Sequence, residues 1–325
     1  MVRILKIVFL VGFLVLGGLA QSNTPKFEKE LSEANQAFDS KRYDEALKHF
    51  KKAEKFESGH CRECLVGMLR SHMYMGDLKN ALKEADQAMA ISLNGKQQGE
   101  VQVYRGVIFS RMQRNPRNLS DAEAAFRSAI AANADCSECK VDLGMTLLRE
   151  GKDHEGVQVL KAVLPEYKGS LQQKEIGRFI ADPGRARQNF APEFSAKTSS
   201  GQAINLDTLQ GKVVLLDFWG TWCPPCRDSV PVLKELVAKN DPSKVIVVSI
   251  DEGDSSEKWA QFVQKNGMTW PQVYDEDRSL KRAFAVHSFP HYFLLNKDGI
   301  ILQTFDGWSH GELFTLKKAI ESALK

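Results

Sequence analysis

The sequence predicts two domains, an all-α array of helical repeats followed by an α/β domain. Three observations indicate this. The 325 residues exceed the usual size of one domain. Small residues recur at a nearly fixed helical spacing between Phe27 and about residue 168. Beyond residue 190, short β-branched runs alternate with helical stretches. We expect the first domain at 21–181, a linker at 182–190 and the second domain at 191–325.

The first 20 residues have the pattern of a secretory signal peptide. Arg3 and Lys6 form a short basic start, residues 7–19 are apolar, and small residues precede an expected cleavage after Ala20. The apolar run is short for a bilayer crossing, which takes about 20 residues, and an uncleaved N-terminal anchor is the alternative. We therefore expect an exported protein of the periplasm or cell envelope.

The first domain is predicted to contain four helix pairs. The second helix of each pair carries a small residue in one register, with spacings of 35, 41 and 34 residues: Ala46, Ala81, Ala122 and Gly156. An insertion at 115–118 explains the longer spacing. The pattern resembles tetratricopeptide repeats (TPR), and this resemblance implies a solenoid that recruits a protein or peptide ligand. A helix at 170–180 is expected to close the array, because the last repeat would otherwise expose its apolar face. Asp182-Pro183-Gly184 then breaks the helical pattern.

The charge and the cysteine content indicate the class of partner and the compartment. The formal net charge is only +3 and no basic patch or nucleic-acid motif stands out, so we expect no nucleic-acid partner. The six cysteines form three C-x-x-C pairs with none left over: Cys61/Cys64, Cys136/Cys139 and Cys223/Cys226. Such pairing suits an oxidising compartment, although zinc or redox chemistry also uses it.

The first two cysteine pairs precede helices at the same register of the second and fourth repeats. Packed helices lie about 8–10 Å apart, so pairs two repeats apart are too distant to share one zinc ion, and we expect no metal. Neither pair is followed by histidine, which excludes the haem-attachment motif C-x-x-C-H. We expect two structural disulfides, Cys61–Cys64 and Cys136–Cys139. A relay of electrons from one of them to the third pair is the alternative.

The third pair lies between a predicted strand at 213–218 and a predicted helix. A helix N-terminus presents unpaired N–H groups and a partial positive charge, which stabilise a thiolate. Cys223 at the helix start is therefore expected to be the attacking thiol, reachable from solvent. Cys226, one turn deeper, is expected to be the resolving thiol of a redox-active disulfide. An inert structural disulfide is the alternative.

The remaining pattern of the second domain is that of an α/β fold. In order, the sequence predicts a hairpin at 193–205, a buried strand at 245–250, a helix near 258–264, a segment that ends at 273–274, a hairpin at 292–305 and a terminal helix at 311–324.

Several motifs resemble the exported TlpA/ResA-like thiol-disulfide oxidoreductases, which have a thioredoxin-like fold. The residues that carry the resemblance are Trp219, Trp222, Cys223, Pro225, Cys226 and Pro231, with support from 191–194, 206–212 and Phe289-Pro290. The resemblance spans about 190–325. It implies an enzyme without a cofactor that exchanges disulfides with protein thiols, and a role in cell redox homeostasis such as c-type cytochrome maturation.

Asp217 lies on the predicted strand, six residues before Cys223. Thioredoxins place a buried acid there, so the resemblance implies that Asp217 takes the proton of Cys226. Many TlpA/ResA-like proteins carry an uncharged residue at this position, and some carry a glutamate three residues after the second cysteine, where this chain has Ser229. A carboxylate paired for structural reasons is the alternative.

The resemblance makes Pro290 the candidate cis-proline that faces the cysteine pair. A cis peptide presents the backbone of Phe289 to an extended substrate, and we expect Phe289 and Trp222 to bind substrate. An ordinary trans turn is the alternative. Phe289 replaces the small or β-branched residue usual before this proline.

The two residues between the cysteines indicate the direction of exchange. Pro224 and Pro225 have no N–H, so only the Cys226 N–H and the helix field stabilise the Cys223 thiolate. A less stabilised reduced form makes a reductant rather than an oxidant such as DsbA. We expect a reductase of extracytoplasmic protein disulfides, fed by an upstream thiol electron donor, whose TPR domain recruits partners. The alternatives are an interaction scaffold without turnover, and an oxidase or isomerase.

Overall fold

The computed structural model describes residues 25–92, 94–112, 117–132, 136–307 and 310–324. It divides into two compact units, one that ends at Glu166 and one that begins at Tyr167. The predicted signal peptide lies outside the described residues. None of the helices in the described ranges combines the length and apolar character that a bilayer crossing requires.

In its described residues the first unit contains eight helices, each packed on the next. They are α1 (Pro25–Asp39), α2 (Tyr43–Phe56), α3 (Arg62–Met75), α4 (Leu78–Ala90), α5 (Gly95–Arg111), α6 (Arg117–Ala132), α7 (Ser137–Arg149) and α8 (Asp153–Val163). A short 3₁₀ turn, Leu164–Tyr167, follows. The all-α architecture predicted for this region is confirmed, and it fits a TPR-like domain.

Small residues allow these helices to pack closely. A Cβ on Gly67 of α3 would overlap the ring of Phe50, and a Cβ on Gly106 of α5 would overlap the ring of Phe126. Ala46 is fully buried. Small residues at these positions therefore mark the contacts between helices, because a larger side chain there leaves no room for its neighbour.

The second unit is built on a five-stranded mixed sheet of order β5-β4-β3-β6-β7. Its strands are β3 (Val213–Trp219), β4 (Val245–Asp251), β5 (Gln272–Tyr274), β6 (His291–Leu295) and β7 (Ile301–Asp306); the hairpin β1 (Ser195–Lys197) and β2 (Ala203–Asn205) stands apart. Strands β4 and β5 are parallel to β3, whereas β6 is antiparallel to it. The helices of this unit are α9 (Leu171–Ala181), α10 (Leu206–Leu209), α11 (Pro224–Lys239), α12 (Ser256–Lys265), α13 (Ser279–Ala283) and α14 (His310–Leu324). The predicted α/β fold is confirmed.

The central strand β3 is buried along its whole length. Its side chains alternate between the two faces of the sheet. Leu215 and Trp219 share one apolar core with α11, whereas Leu216 and Phe218 contribute to the core on the other face. This alternation directs Asp217 to the face that α11 covers.

The boundary between the units differs from the predicted one. We expected α9 to close the repeat array and 182–190 to be a linker. Both segments instead fall in the second unit. Arg178 of α9 pairs with Glu193 and Asp207, residues 183–187 form a 3₁₀ helix, and the chain near Phe190 pairs with Ile300. These charged and backbone contacts attach both segments to the α/β unit.

Candidate active site

The two cysteines of the third pair lie at the start of α11, which follows β3. Cys223 is the N-cap residue of this helix, and its sulfur is bonded to that of Cys226 with the Cα atoms 5.3 Å apart. The backbone N–H of Cys226 donates to Cys223 Sγ at 3.3 Å. Pro224 and Pro225 occupy the first positions of the helix, where an N–H has no intrahelical partner. The sulfur of Cys223 thus lies at the positive end of α11.

The burial of this pair differs from what we expected. Cys223 was expected to be reachable from solvent, but it is 3% exposed and Cys226 is 1% exposed. The closed disulfide packs in the apolar core that includes Trp219 and Val230. In the oxidised protein Cys223 therefore has little contact with solvent.

Two aromatic side chains form the surface beside the cysteines. Trp222 is 45% exposed, and its ring meets that of Phe289 edge to face at 5.3 Å. The indole N–H of Trp222 donates to the backbone oxygen of Glu252 at 3.0 Å. Gly220 has no room for a Cβ beside this indole. These contacts hold an exposed apolar ring next to Cys223.

The peptide bond between Phe289 and Pro290 is cis. The carbonyl oxygen of Pro290 accepts from the N–H of Gly307 at 2.8 Å. Within the described ranges, no hydrogen bond engages the backbone N–H or C=O of Phe289. Both backbone groups are thus without a partner among the described residues, which is one condition for β-strand addition.

Asp217 is a buried carboxyl on the same face of β3 as the core around α11. Its Oδ2 accepts from the hydroxyl of Ser249 at 2.7 Å, and this hydroxyl in turn accepts from the indole N–H of Trp270 at 2.8 Å. Among the described residues Oδ1 has no partner. Burial raises the pKa of Asp217 to about 7, against the opposing effect of the Ser249 bond. A group with that pKa exchanges protons near neutral pH.

Asp254, an acidic residue that we did not predict to contribute to the site, forms hydrogen bonds with the loop before Cys223. Asp254 accepts from the backbone N–H and the hydroxyl of Thr221, both at 2.6 Å, and pairs with Lys258 at 2.9 Å. These bonds lower the pKa of Asp254, although burial opposes them. Asp251, fully buried on β4, has its pKa raised to about 8 by burial and by the neighbouring Asp254.

Glu252 contacts both the loop before Cys223 and α13. Its side chain is buried and pairs with Arg278 at 2.8 Å and Lys281 at 3.2 Å. Its backbone N–H donates to the oxygen of Trp219 at 3.0 Å. The acidic residues at the end of β4 could have indicated these contacts from the sequence. The carboxyl ends of neighbouring parallel strands meet at one edge of a sheet, so residues that follow β3 and β4 lie close together.

The other two cysteine pairs are also closed. Cys61 is bonded to Cys64 at the start of α3, and Cys136 is bonded to Cys139 at the start of α7. Both pairs belong to the helical unit, whereas Cys223, Asp217 and Pro290 belong to the α/β unit. The α/β unit therefore brings together all the residues for which we predicted a part in catalysis or substrate binding.

Comparison with known proteins relates the α/β unit to thiol chemistry. The family model described as AhpC/TSA family matches residues 188–304. Thiol-disulfide oxidoreductase ResA of Bacillus subtilis (strain 168) is 33% identical over 117 residues, which are 36% of this chain and 65% of that protein. ResA of Bacillus thuringiensis (strain Al Hakam) is 32% identical over 117 residues, 36% of this chain and 68% of that protein.

A solved structure shows a related likeness. StoA from Bacillus subtilis is 27% identical, with a TM-score of 0.36 over 39% of this chain and 96% of that chain. The matches to the ResA proteins cover about two thirds of their length, and they cover little more than a third of this chain.

Proposed function

The chain belongs to the family of ResA-like thiol-disulfide oxidoreductases, and from this premise we propose that it is an exported reductase of protein disulfides. The observation that carries the proposal is the Cys223–Cys226 disulfide at the start of α11, on the sheet face to which Asp217 points. The pattern of residues 1–20 supports export.

In the reduced enzyme, the Cys223 thiolate attacks one sulfur of a substrate disulfide. A mixed disulfide forms and the other substrate sulfur leaves as a thiolate. The backbone N–H of Cys226 and the N-terminus of α11 stabilise the attacking thiolate. Phe289 offers its unpaired backbone groups to an extended substrate, and Trp222 offers an exposed apolar ring.

Cys226 then resolves the mixed disulfide. Asp217 accepts its proton, because a carboxyl with a pKa of about 7 has both forms available at neutral pH. The resulting Cys226 thiolate attacks Cys223, which releases the substrate as a dithiol and restores the disulfide seen here. An upstream thiol donor in the envelope reduces the enzyme for the next cycle.

The helical unit is proposed to recruit the partner. Its likeness to a TPR array supports this role, since such arrays expose extended binding surfaces. Maturation of c-type cytochromes is the process that the family resemblance suggests. The chain acts with no cofactor in this scheme, because the two cysteines carry the electrons.

Insulin reduction by the full chain with dithiothreitol as donor tests the proposal. We expect precipitation of the insulin B chain far faster than with dithiothreitol alone, and no acceleration by Cys223→Ser. If neither protein is faster than dithiothreitol alone, the result would instead favour a scaffold without turnover.

The reduction potential separates a reductase from an oxidase or isomerase. Because Pro224 and Pro225 have no N–H to donate to the thiolate, we expect a value nearer that of thioredoxin, about −270 mV, than that of DsbA, about −120 mV. A potential close to the DsbA value would contradict the proposed direction.

A further inference from the structure

The Cys61–Cys64 pair of the helical unit repeats the local geometry of the Cys223–Cys226 pair. Cys61 is the N-cap residue of α3, and its sulfur accepts from the backbone N–H of Cys64 at 3.1 Å. The corresponding distance at Cys223 is 3.3 Å. The Cα separations are 5.2 Å and 5.3 Å. A thiolate on Cys61 would therefore have the same backbone donor and the same helix field as one on Cys223.

A carboxyl group accompanies this pair. One oxygen of Glu54, near the end of α2, and both sulfurs of Cys61 and Cys64 lie within 4.8 Å of one another. Glu54 Oε2 is buried and has no hydrogen-bond partner among the described residues. Burial raises the pKa of Glu54 and nearby Glu57 adds to this, whereas His60 and a backbone bond from Cys61 oppose it. Glu54 is half-buried, whereas Asp217 is fully buried, but the two carboxyl groups share an unpaired oxygen and the direction of the pKa shift.

We propose that Cys61 and Cys64 form a second thiol-disulfide exchange centre, in which Glu54 exchanges a proton with the departing sulfur. The proposal does not depend on the function assigned to Cys223 and Cys226. It assigns to this part of the helical unit a chemical activity toward dithiols, in place of a purely structural crosslink.

The exchange step uses a dithiol as its reductant. A thiolate of that dithiol attacks one sulfur of the Cys61–Cys64 bond, which breaks, and the other sulfur takes the proton of Glu54. The second thiol of the reductant then attacks the mixed disulfide, leaves as a cyclic disulfide and supplies a proton to the remaining cysteine through solvent. Two electrons pass from the dithiol to the cysteines. Glu54 regains its proton from water.

The Cys136–Cys139 pair provides an internal control. It has the same spacing, and Cys136 is also an N-cap residue, but its sulfur accepts no capping bond. Of the residues that the structure describes, no carboxylate joins this pair in a comparable cluster. Cys136 is 9% exposed and Cys61 only 1%, so exposure alone would favour faster reduction of the control pair.

The test follows reduction of both pairs in one sample. The full chain carries Cys223→Ser and Cys226→Ser, so that a failure here is separate from a failure at the other centre. Oxidised protein is mixed with dithiothreitol in EDTA, quenched with acid at set times, alkylated and analysed by peptide mass spectrometry. Rate constants are divided by the dithiothreitol thiolate concentration at each pH.

We expect Cys61–Cys64 to be reduced about tenfold faster than Cys136–Cys139 at pH 6. This factor lies below the usual rate contribution of a positioned acid. The normalised rate of Cys61–Cys64 reduction should fall as rising pH deprotonates Glu54. Glu54→Gln should lose both the tenfold advantage and the pH dependence. Glu57→Gln should keep both, with the fall in rate moved to lower pH, because Glu57 adds to the raised pKa of Glu54.

Equal rates for the two pairs, or a Glu54→Gln profile identical to that of the parent, would overturn the proposal. If Glu54→Gln does not fold, as judged by far-ultraviolet circular dichroism, Glu54→Asp takes its place. The shortened carboxyl should retain a pH dependence at a lower rate. An Asp variant as fast as the parent at every pH would also overturn the proposal.

Discussion

Replacement of Asp217 by asparagine should stabilise the fold while it slows the enzyme. The pKa of this buried carboxyl is about 7, against an ordinary value of 3.8, a difference of about three units. Each unit corresponds to about 1.4 kcal/mol, so ionisation of Asp217 costs the folded state up to about 4 kcal/mol. An asparagine is isosteric and can still accept from the Ser249 hydroxyl, but it has no charge to bury.

The sign of this effect depends on pH. Below about pH 4, Asp217 is protonated in both the folded and the unfolded chain and contributes nothing to the difference. Between about pH 4 and pH 7 the unfolded chain loses this proton first, so the free energy of unfolding falls as pH rises. Above about pH 7 the loss is complete. Asp217→Asn should therefore equal the wild type near pH 4 and exceed it by up to about 4 kcal/mol at pH 8.

The same substitution removes the proton acceptor for Cys226. We expect resolution of a preformed mixed disulfide to slow by about 10²–10⁴-fold, the usual contribution of a positioned base. In the wild type this step should accelerate as pH rises through about 7, where Asp217 ionises. The variant should lack that rise.

Two measurements check this prediction. Urea unfolding of the oxidised protein at pH 4 and pH 8 gives the stability difference, and stopped-flow release of a fluorescent peptide thiol gives the resolution rate. Asp228→Asn is the matched control, because Asp228 is an exposed acid on α11 and should change neither quantity. An unchanged resolution rate together with unchanged stability at pH 8 would refute the assignment of Asp217.

Three further predictions concern other parts of the chain. Asp254→Asn weakens the hydrogen bonds that hold Thr221. We expect kcat/KM for insulin to fall about tenfold, because hydrogen bonds to charged groups contribute about 1.5–3 kcal/mol. Thr221→Val should show a smaller loss. Trp222→Ala removes the exposed ring beside Phe289. The KM for a protein substrate should rise several-fold, whereas the rate at which dithiothreitol reduces the enzyme should change little. Equal effects on both reactions would count against a role of Trp222 in substrate binding. Gly106→Ala forces a methyl group against Phe126 and should destabilise the helical unit by about 1–3 kcal/mol in thermal unfolding, whereas Gly95→Ala, which has open space, should not.

The strand-turn-helix around Cys223 could be predicted because its signals are local. A β-branched run, two prolines between two cysteines and an amphipathic helix follow one another within 25 residues, so neighbouring positions alone determine the backbone. The small-residue register of α1–α8 is similarly visible, since close helix packing repeats it along the chain.

The burial of Cys223 and the loop contacts of Asp254 depend on distant parts of the chain. Asp254 meets Thr221 across 33 residues, and only the parallel pairing of β3 with β4 brings them together. We expected α9 to close the repeats because the last repeat would otherwise expose its apolar face. The ion pair of Arg178 with Glu193, which attaches it to the α/β unit, has no periodic signal.

The central claim is that Cys223 is the sulfur that attacks the substrate. It is tested most directly by trapping a mixed disulfide between a peptide disulfide and each single-cysteine variant of the pair. Mass spectrometry should find the peptide on Cys223 of Cys226→Ser within seconds. Cys223→Ser should form an adduct at Cys226 at least about 100-fold more slowly, because Cys226 lies behind the helix start, where the stabilising field is weaker. Equal rates, or faster capture by Cys226, would contradict the account.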